Sequence, residues 1–208
     1  MEKTAAGKSA KKTFTDYLRL WFKWFLDPLG GFFNRLGLTP NTMTMLGLAG
    51  NTLGAYYLAR GEMFTGGLLV LLMTPIDALD GTMARLRGEP SDFGAFVDSV
   101  TDRYSELIIY GGLLYYFLSL GEPLGGLLVF GAAAGSVLVS YVKARAETLG
   151  YEAKVGLLTR VERYLVLAPA LVFDQLLIGL AIIALFANLT ALQRIWHVRR
   201  QAHSKMKE

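Results

Sequence analysis

The chain has 208 residues, 53% of them hydrophobic and 18% charged, with a mean hydropathy of +0.38, a balance that makes a bilayer the expected solvent. It has no cysteine, which excludes disulfides, thiolate metal sites and cysteine nucleophiles, and its two histidines, His197 and His203, sit in a basic tail; a metal would have to be held by oxygen. The net charge of +4 comes from lysines and arginines at the termini and in two segments flanking apolar runs, without aromatics interleaved on a polar face, which argues against a nucleic-acid partner.

Residues 1–13 are polar and lysine-rich and are expected to be a tail, because no short apolar core with a small-residue cleavage site marks a signal peptide. Residues 14–40 mix Trp21, Phe22, Trp24, Phe25 and Leu26 with Arg19, Lys23 and Asp27. That mixture predicts a juxtamembrane helix, either lying at the headgroups or packed on the bundle, interrupted at Gly30–Gly31 and at Pro40. Six segments near the roughly 20 residues needed to cross a hydrocarbon core follow, at 42–60, 64–84, 94–119, 122–146, 157–173 and 175–196. The expected fold is all-α and integral to the membrane: six transmembrane helices preceded by an N-terminal interfacial amphipathic helix. No internal repeat interrupts this, so the division is a tail (1–13), a juxtamembrane helix and linker (14–40), one six-helix domain (41–197) and a basic tail (198–208). The connections Arg60–Gly61–Glu62, Gly121–Glu122–Pro123 and Asp174 are poor in Lys and Arg. The N-terminus (Lys3, Lys8, Lys11, Lys12, Arg19, Lys23, Arg35), the 85–93 loop, the 143–163 region and the tail (Arg194, Arg199, Arg200, Lys205, Lys207) are rich in them. Both termini are therefore expected on the cytoplasmic side of a cell membrane.

One stretch breaks the apolar pattern: DALDGTMARLRGEPSDFGAFVDSVTD, Asp77 to Asp102. Spacings of three and four residues put Asp77 with Asp80, and Asp98 with Asp102, on one face each of the second and third spans, so two adjacent helices would aim four carboxylates at one point. Beside lipid, such anions need bound cations, protons or arginine partners. Carboxylate oxygens suit Mg²⁺ or Mn²⁺, two of which about 4 Å apart form a clamp for phosphoryl chemistry. The alternative is an internal salt-bridge network in which Arg85, Arg87 and Arg103 neutralise the aspartates. Gly81 and Gly94 either open room for a bulky ligand or serve helix packing.

As a pattern the stretch is D-x2-D-G-x2-A-R-x8-G-x3-D-x3-D, filled without departure by Asp77, Asp80, Gly81, Ala84, Arg85, Gly94, Asp98 and Asp102. It resembles the signature of the CDP-alcohol phosphotransferases, integral membrane enzymes of six helices. LTPNTMT (38–44), SYVKARAE (140–147) and TRVER (159–163) are similar to further family segments. The resemblance implies transfer of a substituted phosphate from a CDP-linked donor, CDP-diacylglycerol in members that make phospholipids, to an alcohol, with release of CMP. It implies that Asp77, Asp80 and Asp98 hold metal, and that Asp102 completes a second metal site and serves as general base on the acceptor hydroxyl. It also implies that Gly81, Ala84 and Arg85 line the nucleotide pocket beside Asp80 and Gly94, and that the protein is a homodimer. Asn41 and Thr44 would touch the cytidine end, with helix capping an equal role for Asn41. No residue is placed as a covalent nucleophile, which favours direct displacement.

Lys143, Arg145, Arg160 and Arg163 gather at the expected cytoplasmic ends of the fourth and fifth spans. A cationic pocket there suits an acceptor that itself carries phosphate; positive-inside topology or anionic-lipid attraction explains the same cations without a ligand. GAFVDSVTDRYSE, SYVKARAE and TRVER resemble the phosphatidylinositol-phosphate synthases and their archaeal relatives, which use inositol 1-phosphate. That resemblance implies Lys143, Arg160 and Arg163 as phosphate anchors, with Arg145 a weaker candidate. Ser99, where phosphatidylglycerolphosphate synthases tend to carry proline, counts against glycerol 3-phosphate as the acceptor. A cation-coupled transporter, a different class, would place its acids near the midplane on broken or repeated helices; here they stand at one edge.

Overall fold

The computed structural model describes residues 14–88 and 91–205, with side chains from Trp24 onward. The expected tail 1–13, residues 89–90 and 206–208, and the side chains of Arg19, Trp21, Phe22 and Lys23 lie outside the described residues. In chain order the helices are α1 (Phe14–Arg35), α2 (Pro40–Ala59), α3 (Met63–Arg87), α4 (Asp92–Ser119), α5 (Pro123–Thr148), α6 (Arg160–Val172) and α7 (Leu176–Lys205). The all-helical expectation holds, as it must where a segment in lipid has to satisfy its own backbone groups.

Three helices among the described residues, α3, α5 and α7, are long and apolar enough to cross a membrane. α2 carries no charge but is diluted by threonines, glycines and Asn51, while α4 keeps Asp92, Asp98, Asp102, Arg103 and Glu106 in its first fifteen residues. The helix expected from residue 157 begins at Arg160 and has 13 residues, about 20 Å of length at ~1.5 Å per residue, short of a ~30 Å hydrocarbon core. α7 instead continues past residue 196 to Lys205.

The ends of α2 and α4 are set by side-chain caps. Thr39 Oγ1 accepts from the Thr42 amide at 3.2 Å, and Ser91 Oγ from the Gly94 amide at 3.0 Å. The capping role expected for Asn41 therefore falls to Thr39: Pro40 takes the first helical position and leaves Asn41 exposed inside the first turn. α1 also differs from expectation, because it passes through Gly30–Gly31 unbroken. Gly30 seats α1 on α3, where a Cβ would lie 3.1 Å from Thr82 Cγ2. Leu26 is buried there with Met43, Leu79 and Met83, and Arg87 Nε donates to Asn34 Oδ1 at 2.7 Å, while Trp24, Phe25 and Phe32 remain exposed. One face of α1 thus packs on the bundle and another carries free aromatics.

α2 lies against α3 and α4, α5 against α4 and α7, and α6 against α3 and α7. Small residues permit the crossings: a Cβ on Gly112 would lie 2.4 Å from the Ala55 carbonyl oxygen, and one on Gly135 2.9 Å from Ala187 Cβ. The shared core holds Leu58, Val70, Ile109, Leu113, Leu171 and Ile183, whereas Phe64, Leu72, Leu127, Phe130 and Leu185 face outward, an apolar exterior suited to lipid. Because α2 touches both α3 and α4, the C-terminal half of α3 and the N-terminal half of α4 meet beside the start of α2.

Candidate functional site

Asp77 and Asp80 on α3 and Asp102 on α4 are buried, and Asp98 is half-buried. One carboxylate oxygen from each of Asp77, Asp98 and Asp102 lies within 4.8 Å of the others. Asp80 stands beside this group of three, in electrostatic reach of Asp77 and Asp98. Its Oδ2 accepts from Thr44 Oγ1 at 2.6 Å and its Oδ1 from the Gly81 amide at 2.5 Å. The Thr44 bond ties α2 to α3 and turns the Asp80 carboxylate; Gly47, one turn along α2, leaves space beside Asp77, whose Oδ1 would be 3.4 Å from an added Cβ.

Asp77 Oδ1 and Asp102 Oδ1 are buried without a hydrogen-bond partner. Two unpartnered buried carboxylate oxygens in one cluster are costly unless a cation or a shared proton takes them up. An all-oxygen donor set of this kind fits a hard divalent cation such as Mg²⁺ or Mn²⁺.

The other oxygens of the same two acids go to arginine. The Arg160 guanidinium, at the first turn of α6, pairs with Asp77 Oδ2 and lies 2.6 Å from Asp102 Oδ2. Arg103 Nη1 reaches Asp102 Oδ2 at 3.3 Å. Of the three arginines expected as neutralising partners, Arg85 donates to Thr82 Oγ1 and Arg87 to Asn34 and the Leu38 carbonyl, so Arg103 alone of them pairs with an aspartate among the described residues. Arg160 stands over the Tyr164 ring at 5.6 Å, and its Nε is buried without a partner.

The four expected phosphate anchors separate. Arg160 is at the aspartates; Lys143 pairs with Glu147 at 3.8 Å and Arg145 is exposed, and neither is ion-paired with Asp77, Asp98 or Asp102 among the described residues. Arg163 points into the bundle, 2% exposed, with its Nε and Nη2 donating to Glu106 at 2.7–2.9 Å. Arg160 and Arg163 share one face of α6, and Asp102 and Glu106 one face of α4, so the two helices are joined by two rungs of ion pairs.

At the expected nucleotide end, Gly81 is exposed and a Cβ there would meet nothing closer than Arg85 Nη1 at 3.6 Å, so no packing within the chain requires glycine and the backbone is open to the outside. Arg85 is exposed and Ala84 half-buried beside it. Gly94 has a local explanation instead: a Cβ would lie 2.9 Å from Ser91 Oγ, the hydroxyl that caps α4.

The sequence did not single out Glu106 or the Asp80 partner role of Thr44, and Arg194, expected in the basic tail, is instead buried with its guanidinium donating to the Val155 and Val139 carbonyls. Glu106 had a signal: it stands one turn beyond Asp102 and is the last charge of α4 before an uncharged run to its end.

A family model described as CDP-alcohol phosphatidyltransferase matches residues 37–197. A phosphatidylinositol phosphate synthase of Streptomyces avermitilis is 35% identical over 216 residues, covering 96% of this chain and 88% of the relative. The crystal structure of Mycobacterium tuberculosis phosphatidylinositol phosphate synthase with CDP-DAG bound matches with a TM-score of 0.77 and 31% identity, over 83% of this chain and 92% of that one. The same enzyme in complex with manganese and citrate matches with a TM-score of 0.75 and 30% identity, over 83% of this chain and 88% of that one.

Proposed function

We infer that this chain, which belongs to the CDP-alcohol phosphatidyltransferase family, transfers the phosphatidyl group of CDP-diacylglycerol to inositol 1-phosphate, giving phosphatidylinositol phosphate and CMP. The convergence of Asp77, Asp98 and Asp102 with the Arg160 guanidinium at one point carries this reading. Relatives named as phosphatidylinositol phosphate synthases support the acceptor, and the CDP-DAG and manganese in the neighbouring structures support the donor and the metal class.

Mg²⁺ or Mn²⁺, two ions held by Asp77, Asp80, Asp98 and Asp102, would neutralise the donor diphosphate and polarise the phosphorus that carries the diacylglycerol. The acceptor oxygen attacks that phosphorus while its proton passes to the Asp102 carboxylate. The bond from this phosphorus to the bridging oxygen breaks, and CMP leaves with the electron pair. Arg160 anchors the acceptor phosphate through its planar fork of donors, with Lys143 and Arg145 nearby in sequence as weaker contributors. Gly81, Ala84, Arg85 and Gly94 flank the nucleotide end with Asn41 and Thr44, and Thr44 acts there through Asp80. Arg163 pairs with Glu106 and so helps to hold α6, which carries Arg160, against α4.

In the membrane, α2 to α7 form six crossings, the short α6 completed by the irregular segment before it, with both termini and the aspartates at the cytoplasmic face. α1 lies at the headgroups with its free aromatics, and the protein assembles as a homodimer. CMP release from CDP-diacylglycerol with Mn²⁺ or Mg²⁺ tests the reaction, comparing inositol 1-phosphate, glycerol 3-phosphate, inositol and serine. Release with inositol 1-phosphate is expected. Release with glycerol 3-phosphate alone would leave the metal site standing and overturn the acceptor; release with none would overturn the reaction.

A further inference from the structure

Between α5 and α6, residues 149–159 form no helix, yet Ala153 is fully buried and Leu158 nearly so. α7 holds this segment at four levels. Lys205 Nζ donates to the Gly150 carbonyl at 3.2 Å and lies 4.7 Å from the Tyr151 ring centre. The Gln201 amide meets the backbone of Glu152 as a strand would, donating to its carbonyl at 2.6 Å and accepting from its N–H at 3.0 Å. Arg194 Nε donates to the Val155 carbonyl at 2.8 Å. Thr190 Oγ1 accepts from the Leu157 and Leu158 amides at 3.2 and 3.0 Å and donates to the Phe186 carbonyl at 2.7 Å.

Thr190, Arg194, Gln201 and Lys205 are spaced four, seven and four residues apart, one stripe of a helix. The segment runs antiparallel to that stripe, and the lengths are similar: the eight residue steps from 150 to 158, if extended, reach about 26 Å, and the fifteen helical steps from 190 to 205 rise about 22 Å. Gly156 closes the fit, with φ at +139° and a Cβ position only 2.2 Å from Thr190 Cγ2, so a side chain could neither adopt that backbone nor share the space.

The segment joins Lys143 and Arg145, near the end of α5, to Arg160, the first residue of α6. We propose that the Thr190–Arg194–Gln201–Lys205 stripe is a positioning device for the acceptor site: it holds residues 149–159 in one register and so sets where Arg160 stands against Asp77 and Asp102. The proposal rests on the reading of Arg160 as acceptor-phosphate anchor. Thr190 and Gln201 touch none of the aspartates, so their effect must travel through the segment.

Thr190→Val keeps the shape and removes the hydroxyl, leaving the buried Leu158 amide and the part-buried Leu157 amide unpaired; Thr190→Ser restores the hydroxyl. In full-length protein in detergent, Thr190→Val should raise the KM for inositol 1-phosphate about ten-fold, leave the KM for CDP-diacylglycerol within about two-fold, and speed amide exchange at Leu157 and Leu158. Thr190→Ser should match the wild type in all three. Gln201→Ala, at a half-buried position near the end of α7, should give a smaller rise in the same KM with faster exchange at Glu152, and it carries the test if Thr190→Val does not accumulate. Equal losses in both KM values, or failure of Thr190→Ser to rescue, would overturn the proposal. Arg160→Ala separates the two ideas. An unchanged acceptor KM in that variant overturns the anchor reading and the stripe's positioning role with it, whereas a raised KM there beside an unchanged KM in Thr190→Val and Gln201→Ala overturns the positioning role alone.

Discussion

Arg163→Met would leave the Glu106 carboxylate buried with no cation, and Glu106→Leu would do the same to the guanidinium. The pair is nearly closed to solvent, with side chains 2% and 7% exposed, and three hydrogen bonds of 2.7 to 2.9 Å join the partners. Screening by water is therefore slight, and breaking such a pair from one side costs about 3–5 kcal/mol. For a chain of this length that is a fall of roughly 6–20 °C in Tm. Replacing both, Glu106→Leu with Arg163→Met, removes both charges and keeps the volume, and should return the protein to within about 1 kcal/mol, or ~4 °C, of the wild type. Thermal unfolding of the three variants in one detergent measures this. A double variant as unstable as the single ones would refute the reasoning, because the loss could then not come from an uncompensated buried charge.

Asp102→Asn should cut kcat for CMP release by about 10²- to 10⁴-fold while CDP-diacylglycerol still binds, and turnover near the wild-type rate would sink the general-base assignment. Arg160→Lys replaces a fork that spans two carboxylates with a point charge; a KM for inositol 1-phosphate raised about ten-fold is expected, and an unchanged one would mean that the fork is not used. Thr44→Val takes away the hydroxyl donor of Asp80, worth about 1–3 kcal/mol, and should lower kcat/KM for CDP-diacylglycerol at least five-fold without moving the acceptor KM; the opposite split would remove Thr44 from the donor side. Chelation should abolish CMP release and lower Tm, with Mn²⁺ at about 100 times its Kd restoring ~2.7 kcal/mol of stability. A Tm indifferent to Mn²⁺ would argue against binding at the aspartates.

The helical character and the aspartate pairing were legible because both are local. Asp77 with Asp80 and Asp98 with Asp102 share a helix face by spacing alone, and bringing those faces together puts Asp77, Asp98 and Asp102 within ligand distance, with Asp80 beside them bonded to Thr44. The interruption expected at Gly30–Gly31 did not occur, because Gly30, which weakens an isolated helix, lets this one lie close on Thr82. Arg163 reads from sequence like Arg160, two cations three residues apart at a span end. What separates them is depth along α4, where Asp102 faces one and Glu106 the other.

By itself the sequence determined the helical period and the donor chemistry: three apolar runs long enough for lipid, turns between helices, and hard oxygen donors on faces set by the 3.6-residue repeat. Each of these follows from neighbours along the chain. The partners of the charges, the division of labour between Arg160 and Arg163, the use of Thr44 on Asp80 and the fastening of residues 149–159 to α7 were decided by tertiary structure alone. They join groups 32 to 83 residues apart, and no local spacing encodes a meeting that depends on how whole helices cross.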